Sequence, residues 1–442
     1  MIKKWMKSLL LAGVIGALIM SVACSQNTNK DAQSNGKTDQ EQVNLRFMWW
    51  GGDTRNEATF KAIDAYMAKN PHVKIEGYSE AWATYLEKLL TQLASNSAPD
   101  IVQLDYQHVP DLTSQGKPFV NMLEMGDQID MSGFDLDLVK SYGGGNDYLI
   151  GLPTGINGES NIYNVDLAKE LGIDMSQANT WTFEDLITVG QEVNKKDPEK
   201  YFMYFKIEMY RDLVKTMLKQ MNGNTLIKDD YTLGFTREEM TEIFSYIRRL
   251  VDTKTVPPFE IGTVYETQNA DNPDWLKNRY VMAMTYASLV VDFMNASPFD
   301  IEASRMFVMD NPVNNGVAVT PTNFLGIYQN SKHVDEAAKF LDWFYNDEEA
   351  IMILGDVRGM PPTEKGRDLL VSNNKISKQI VDSVNYALEW VGVPDNSPTL
   401  IAEVNSRLSD YIHEVGFGRS TPEQAADGLI SELESILKGI QK

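Results

Sequence analysis

VNLRFMWW-GG-DTRNEATFKAIDAYMAKN-PHVKIEGY-SEAWATYLEKLLTQLASNS-APD-IVQL, residues 43–104, is the stretch that decides the fold. In Val43–Trp50 the apolar residues Val43, Leu45, Phe47 and Trp49 alternate along one face, which predicts a strand. Gly51-Gly52-Asp53-Thr54 breaks it. A helix is expected from about Asn56 to Lys69, with Phe60, Ile63 and Met67 at helical spacing, and Asn70-Pro71 stops it. Val73–Tyr78 reads as a second strand. Ala83–Ser95 reads as a second helix with Leu86, Leu89, Leu90 and Leu93 on one side, and Ile101–Leu104 as a third short strand after Ala98-Pro99-Asp100. Strand–helix–strand–helix–strand predicts a parallel sheet with helical crossovers, an α/β architecture.

On the N-terminal side lies an address. Met1–Lys7 is basic, Ser8–Met20 is apolar, and Ser21-Val22-Ala23 precedes the only cysteine, Cys24. Residues 1–23 read as a secretory signal, whose apolar run is too short for a comfortable membrane span of about 20 residues. Small residues directly before a cysteine resemble a bacterial lipobox, with Ser21 where that motif usually has Leu. The resemblance implies a lipidated Cys24; ordinary cleavage after Ala23, leaving a free thiol, is the alternative. Residues 24–42 follow as a tether: in SQNTNKDAQSNGKTDQEQ (Ser25–Gln42) the only apolar residue is Ala32, too little to offset the entropy of ordering.

On the C-terminal side three helix starts carry capping signals: Thr182 with Asp185, Thr236 with Glu239, and Thr421-Pro422 with Gln424. His333–Asn346 is amphipathic, with Phe340, Trp343 and Phe344 read as core, and Glu423–Lys438 carries Ala426, Leu429, Leu433 and Leu437 on one face. The whole chain has 442 residues, 43% of them hydrophobic, and a net charge of −22. That is enough for a sizeable core and for two or three domains. Such a negative balance argues against a polyphosphate partner such as nucleic acid. One cysteine excludes an intramolecular disulfide, so stability must come from burial.

The search for catalysis comes out thin. There is no P-loop and no G-x-S-x-G, and Gly143-Gly144-Gly145 lacks dinucleotide spacing and reads as a turn. His72, His108, His333 and His413 are scattered, and Asp127, Asp130, Asp135 and Asp137 lack the spacing of a calcium loop, so no metal or cofactor is expected. The informative feature is where the aromatics fall. Ligands of open parallel sheets bind beyond the carboxyl ends of the strands. There the sequence places Trp49-Trp50, then Trp82 and Tyr85, then Asp105-Tyr106-Gln107. Aromatic faces match the C–H faces of sugar rings, and Asp, Asn and Gln match hydroxyls. Trp50 and Trp82 are therefore expected at a ligand, while Trp49 shares the face of Phe47 and Leu45.

Beyond these residues, the order of elements resembles the solute-binding proteins of bacterial carbohydrate ABC transporters, the group typified by maltose-binding protein, over Val43–Lys442. The resemblance is carried by residues 45–76, by LEKLLTQLASNSAPDIVQLDYQHVPDLTSQG (86–116), by YLIGLPTGINGESNIYNVDLAKELGI (148–173), by TWTFEDL (180–186), by WLKNRYVMAMTYAS (275–288) and by FLGIYQNSKHVDEAAKFLDWF (324–344). It implies a two-lobed fold of the type II periplasmic-binding-protein class. One lobe would comprise 43–155 plus 322–355 and the other 156–321 plus 356–442, joined by three crossings near Pro153–Asn157, Thr322–Leu325 and Gly359–Pro362. A ligand cleft that closes by hinge motion would lie between the lobes.

Carried over segment by segment, the resemblance implies ligand contacts at Asp105, Tyr106, Gln107, Asn157, Tyr210, Tyr286, Ser288, Asn323 and Phe324. Trp390 has no matching family position and reads as either a ligand-stacking ring or a core contact. The WWGG motif with Arg55 looks like a subgroup that takes up plant cell-wall and pectin-derived oligosaccharides, for which Arg55 or Arg358 would pair a uronate. The function this implies is a monomeric, lipid-anchored protein on the extracytoplasmic face of the cell membrane, without enzymatic activity, that delivers an oligosaccharide to permease subunits and, through them, an ATPase. A tethered carbohydrate-active enzyme and a binder of polyamine or peptide are the alternatives, and the enzyme would need two carboxylates across a cleft with one pKa raised.

Overall fold

The structure, a computed structural model, describes residues 42–440 apart from 115 and 146; Cys24, the signal and the tether lie outside the described residues. Among the described residues ten strands are formed: β1 (Val43–Trp50), β2 (Val73–Glu80), β3 (Ile101–Leu104), β4 (Leu152–Pro153), β5 (Ile156–Asn164), β6 (Tyr201–Tyr204), β7 (Tyr280–Tyr286), β8 (Ile301–Ser304), β9 (Val319–Pro321) and β10 (Phe324–Ile327). They make two sheets. The first has the order β2-β1-β3-β10-β4 and the second β6-β7-β5-β8, with β9 also on β5. β1 pairs in parallel with both β2 and β3, as the opening stretch predicts, and β10 returns antiparallel between β3 and β4. The chain therefore leaves the first sheet after β4, builds the second, and comes back at β10.

Each sheet has its own core. The first gathers Leu45, Phe47, Trp49, Ile101, Leu152 and Phe324 with Phe340 and Phe344 of the helix Val334–Asn346. The second gathers Ile162, Phe202, Met282, Trp275, Phe307 and, from the last helix Pro422–Ile440, Leu429, Leu433 and Leu437. The predicted caps form. Thr182 and Thr236 each close a capping box with Asp185 and Glu239. Thr421 and Gln424 exchange the same pair of bonds, at 3.0 and 3.3 Å. These tie off orphan amides that a helix start leaves unpaired.

Both faces of β1 are covered. Phe47 and Trp49 are fully buried on one side and Met48 on the other, and Trp50 is only 9% exposed. Alternation sorts side chains between two faces, but in a sheet sandwiched by helices both faces are interior.

Three separated segments are laced together between the sheets. Thr154 donates its amide to the Asn323 carbonyl at 2.8 Å, Thr322 to Gly155 at 2.9 Å, and Ile156 to Met360 at 2.8 Å. Gly359 sits at φ +104° with its missing Cβ 2.4 Å from the Thr322 methyl, and a Cβ on Gly155 would lie 2.6 Å from the Arg358 carbonyl oxygen. These segments meet backbone to backbone because glycine leaves room.

Candidate functional site

A cavity of about 490 Å³ is lined by residues on and just after strands of both sheets. From the part of the chain that builds the first sheet come Tyr106, directly after β3, and Tyr142, on the helix Leu136–Gly143. Asp105 positions the former: its carboxylate caps the turn Tyr106–His108 by accepting from the Gln107 amide at 2.9 Å. The two tyrosine rings meet edge to face, 5.5 Å apart.

The elements around the second sheet supply the charge. On β5, Asn157 and Glu159 point the same way because they are two residues apart. On the helix Ile207–Asn222, Glu208, Arg211, Asp212 and Lys215 follow the i, i+3, i+4, i+7 spacing of one helix face. Tyr286 ends β7, Thr320 lies on β9, and Asp395 comes from the segment after the helix Lys378–Glu389. An adjoining cavity of about 550 Å³ shares Tyr106, Tyr142, Asp395 and Leu400 and adds Gln107, Asp229 and Asn396.

Most of these charges are matched. Lys219, fully buried behind the cavity, bonds Asp395 at 2.7 Å; Lys215 reaches Asp395 at 3.4 Å and Asp212 at 3.6 Å; Lys206 pairs with Glu208 at 2.7 Å. Burial pushes the Asp395 carboxyl up, but the two ammoniums outweigh it and hold the group below its ordinary range. The Tyr286 hydroxyl donates to Asp212, and burial together with that carboxylate raises its pKa. Glu159 is different. It is 2% exposed, and its Oε2 accepts from the Ala318 amide at 3.1 Å and the Thr216 hydroxyl at 3.3 Å. Burial, then the neighbouring Asp212 charge, pushes its carboxyl up to about 8. Arg211 donates Nη1 to Ser409 Oγ at 2.9 Å and pairs with no carboxylate among the described residues.

Of the residues named from sequence, Tyr106, Asn157 and Tyr286 line this cavity, and Gln107 lines the adjoining one. Ser288 is exposed beside it, its amide donating to Asn157 Oδ1 at 3.0 Å. Asn323 is buried in the laced segments. Others lie elsewhere. Trp50 packs edge-on to Tyr85 at 4.6 Å inside the first core. Phe324 is fully buried in that core because β10 is an interior strand. Tyr210 faces the second core, against Phe205 at 5.0 Å and Phe259 at 5.3 Å, one position off the helix face that lines the cavity.

The two arginines assigned to a uronate are engaged within the protein. Arg55 donates to the Val357 and Trp50 carbonyls, both at 3.1 Å. Arg358, 3% exposed, donates to Gln103 and Thr59; burial, then the nearby Arg55 charge, lowers its pKa to about 9. Trp390 lies under the Arg305 guanidinium at 4.5 Å, outside the cavity lining. Trp82 opens the helix Trp82–Ala94, and its side chain lies outside the described residues.

The reading from sequence missed the charged face of Ile207–Asn222. Its signal was present: charges at 208, 211, 212 and 215 interleave with Met209, Leu213 and Val214, all buried. Asp395 carried no local signal, since long-range pairing with Lys219 places it.

The model of the bacterial extracellular solute-binding protein family matches residues 61–380. A putative binding protein of Brucella abortus is 21% identical over 85% of this chain and 88% of its own length. Among solved structures, a family 1 extracellular solute-binding protein from Alicyclobacillus acidocaldarius superposes with a TM-score of 0.80 at 22% identity, covering 90% of this chain and 99% of that one. A periplasmic oligogalacturonide binding protein from Yersinia enterocolitica does so with a TM-score of 0.77 at 21% identity, covering 90% of this chain and 100% of that one.

Proposed function

We propose that this chain, which belongs to the bacterial extracellular solute-binding proteins, captures an oligosaccharide outside the cytoplasm and hands it to an ABC importer. The observation that carries the reading is the cavity itself. Tyr106 and Tyr142 share its lining with Tyr286, Asn157 and a row of carboxylates. Tyrosine rings suit the apolar faces of a sugar, and carboxylate and amide oxygens accept from its hydroxyls. The oligogalacturonide-binding relative supports the ligand class.

Closure about the three laced segments would bury the ligand and present both lobes to permease subunits. Cys24, if lipidated as its lipobox-like setting implies, would hold the protein at the membrane through the tether. No helix among the described residues is long and apolar enough to cross a membrane. A second reading draws on the same lining: four carboxylates beside three tyrosines also suit a polyamine, but Lys215 and Arg211 stand among them and repel a cation.

The test is a thermal-shift screen of the protein against plant and storage oligosaccharides, with spermidine and peptides as controls. A ligand at about 100 times its Kd adds about 2.7 kcal/mol. A sugar that raises the Tm and is recovered intact after overnight incubation supports the reading. A cleaved sugar points to an enzyme, and a shift with spermidine alone overturns the ligand class.

A further inference from the structure

We infer that the sugar this cavity takes carries a carboxylate, and that Arg211 is the residue that reads it. The inference rests on the cavity being the ligand site. It starts from which charges are satisfied. Lys206, Lys215 and Lys219 are matched by Glu208, Asp212 and Asp395 at 2.7–3.6 Å. These pairs cancel, and they also hold the wall of the cavity: Asp395 is anchored from behind by Lys219, which is 1% exposed.

Of the acidic and basic side chains lining the cavity, Arg211 and Glu159 stand outside these ion pairs. Glu159 is buried, its Oε2 occupied by the Ala318 amide and the Thr216 hydroxyl, and its carboxyl is pushed up to about 8, so near neutral pH it is mostly uncharged. Among the cations of this wall, Arg211 alone pairs with no carboxylate of the described residues. That charge is a guanidinium, half-buried in the cavity wall and braced at Nη1 by Ser409. A guanidinium presents its remaining N–H groups in a planar fork that matches a carboxylate. A wholly neutral sugar would leave this charge unmatched in a partly desolvated site, and a cationic ligand would add to it. The arginines first assigned to this task do not compete for it, since both are held by oxygens of the protein itself.

The experiment compares digalacturonic acid with its methyl ester, which keeps the ring and removes the charge, using isothermal titration on the wild-type protein and on Arg211→Met and Arg211→Lys. Xylotetraose and maltotetraose serve as neutral references. The expected result is that wild type binds the acid at least about tenfold more tightly than the ester, the loss of one charge-assisted hydrogen bond. Arg211→Met should close that gap while still binding the ester, and Arg211→Lys should recover part of it. The acid–ester comparison in wild type needs no variant, so it decides even if Arg211→Met folds poorly. Equal binding of acid and ester, or binding of the neutral tetrasaccharides alone, overturns the inference and leaves oligosaccharide capture standing. A gap that persists in Arg211→Met overturns the role of Arg211. Silence across all four sugars removes the cavity as a sugar site, and the inference with it.

Discussion

Replacing Glu159 by Gln should make the protein more stable at pH 8 and leave it little changed near pH 5. In the folded chain, burial and the Asp212 charge hold this carboxyl protonated up to about pH 8, whereas in the unfolded chain it ionises around its ordinary 4.5. Between those values the unfolded state has released a proton that the folded state keeps. Folding stability contributed by the group is therefore fully present below pH 4.5 and drains away as pH rises through 8, by roughly 1.4 kcal/mol per pH unit. Across the whole window the ceiling is about 5 kcal/mol. Coupling to Asp212 shares the proton between two groups, so a few kcal/mol is the expected size. Gln keeps an oxygen for the Ala318 amide at 3.1 Å but has no charge to desolvate. The assay is the melting temperature of wild type and Glu159→Gln at pH 5, 6.5 and 8. The difference should grow with pH in favour of the variant. A difference that is flat across the three values, or that favours wild type more at pH 8 than at pH 5, refutes the account of Glu159 as a buried, protonated acid.

Trp50→Ala should lower stability by about 3 kcal/mol or more, because it empties a site packed against Tyr85 in the first core; calorimetry checks it, and an unchanged melting temperature would place the ring outside the core. Lys219→Met should cost about 3–5 kcal/mol by leaving Asp395 buried with only the longer 3.4 Å partner. In urea titrations the double variant with Asp395→Asn should recover part of that loss, and simple additivity would show the pair to be uncoupled. Gly359→Ala should destabilise by about 1–3 kcal/mol, since φ is +104° and the new Cβ would meet Thr322 at 2.4 Å; a melting temperature equal to wild type would mean that the segment relaxes freely.

Much of the fold was legible. The β1-helix-β2-helix-β3 run followed from alternation, from helical spacing and from the Gly-Gly and Asn-Pro breaks, since these are local effects of backbone geometry. Capping residues announced helix starts at Thr182, Thr236 and Thr421 for the same reason. The lining of the candidate cavity was half legible. Tyr106, just past a strand end, was reached by the rule that ligands sit beyond strand ends, and Asn157 and Tyr286 by the family resemblance. Trp50 and Phe324 misled because an aromatic at a strand end reads alike whether the sheet is open or covered. Tyr210 was one residue out of phase with the lining face of its helix, and one residue turns a side chain by about 100°.

What the sequence by itself determined is therefore the opening run of elements, several helix starts and the α/β class, all properties that neighbours in the chain impose on one another. What only the tertiary structure decided is which charges are matched. Lys219 meets Asp395, Arg358 is enclosed by Gln103 and Thr59, and Arg211 is left facing the cavity. Whether a charge is available to a ligand depends on which distant groups already satisfy it, and residues 176 or 255 positions apart carry no local trace of that pairing.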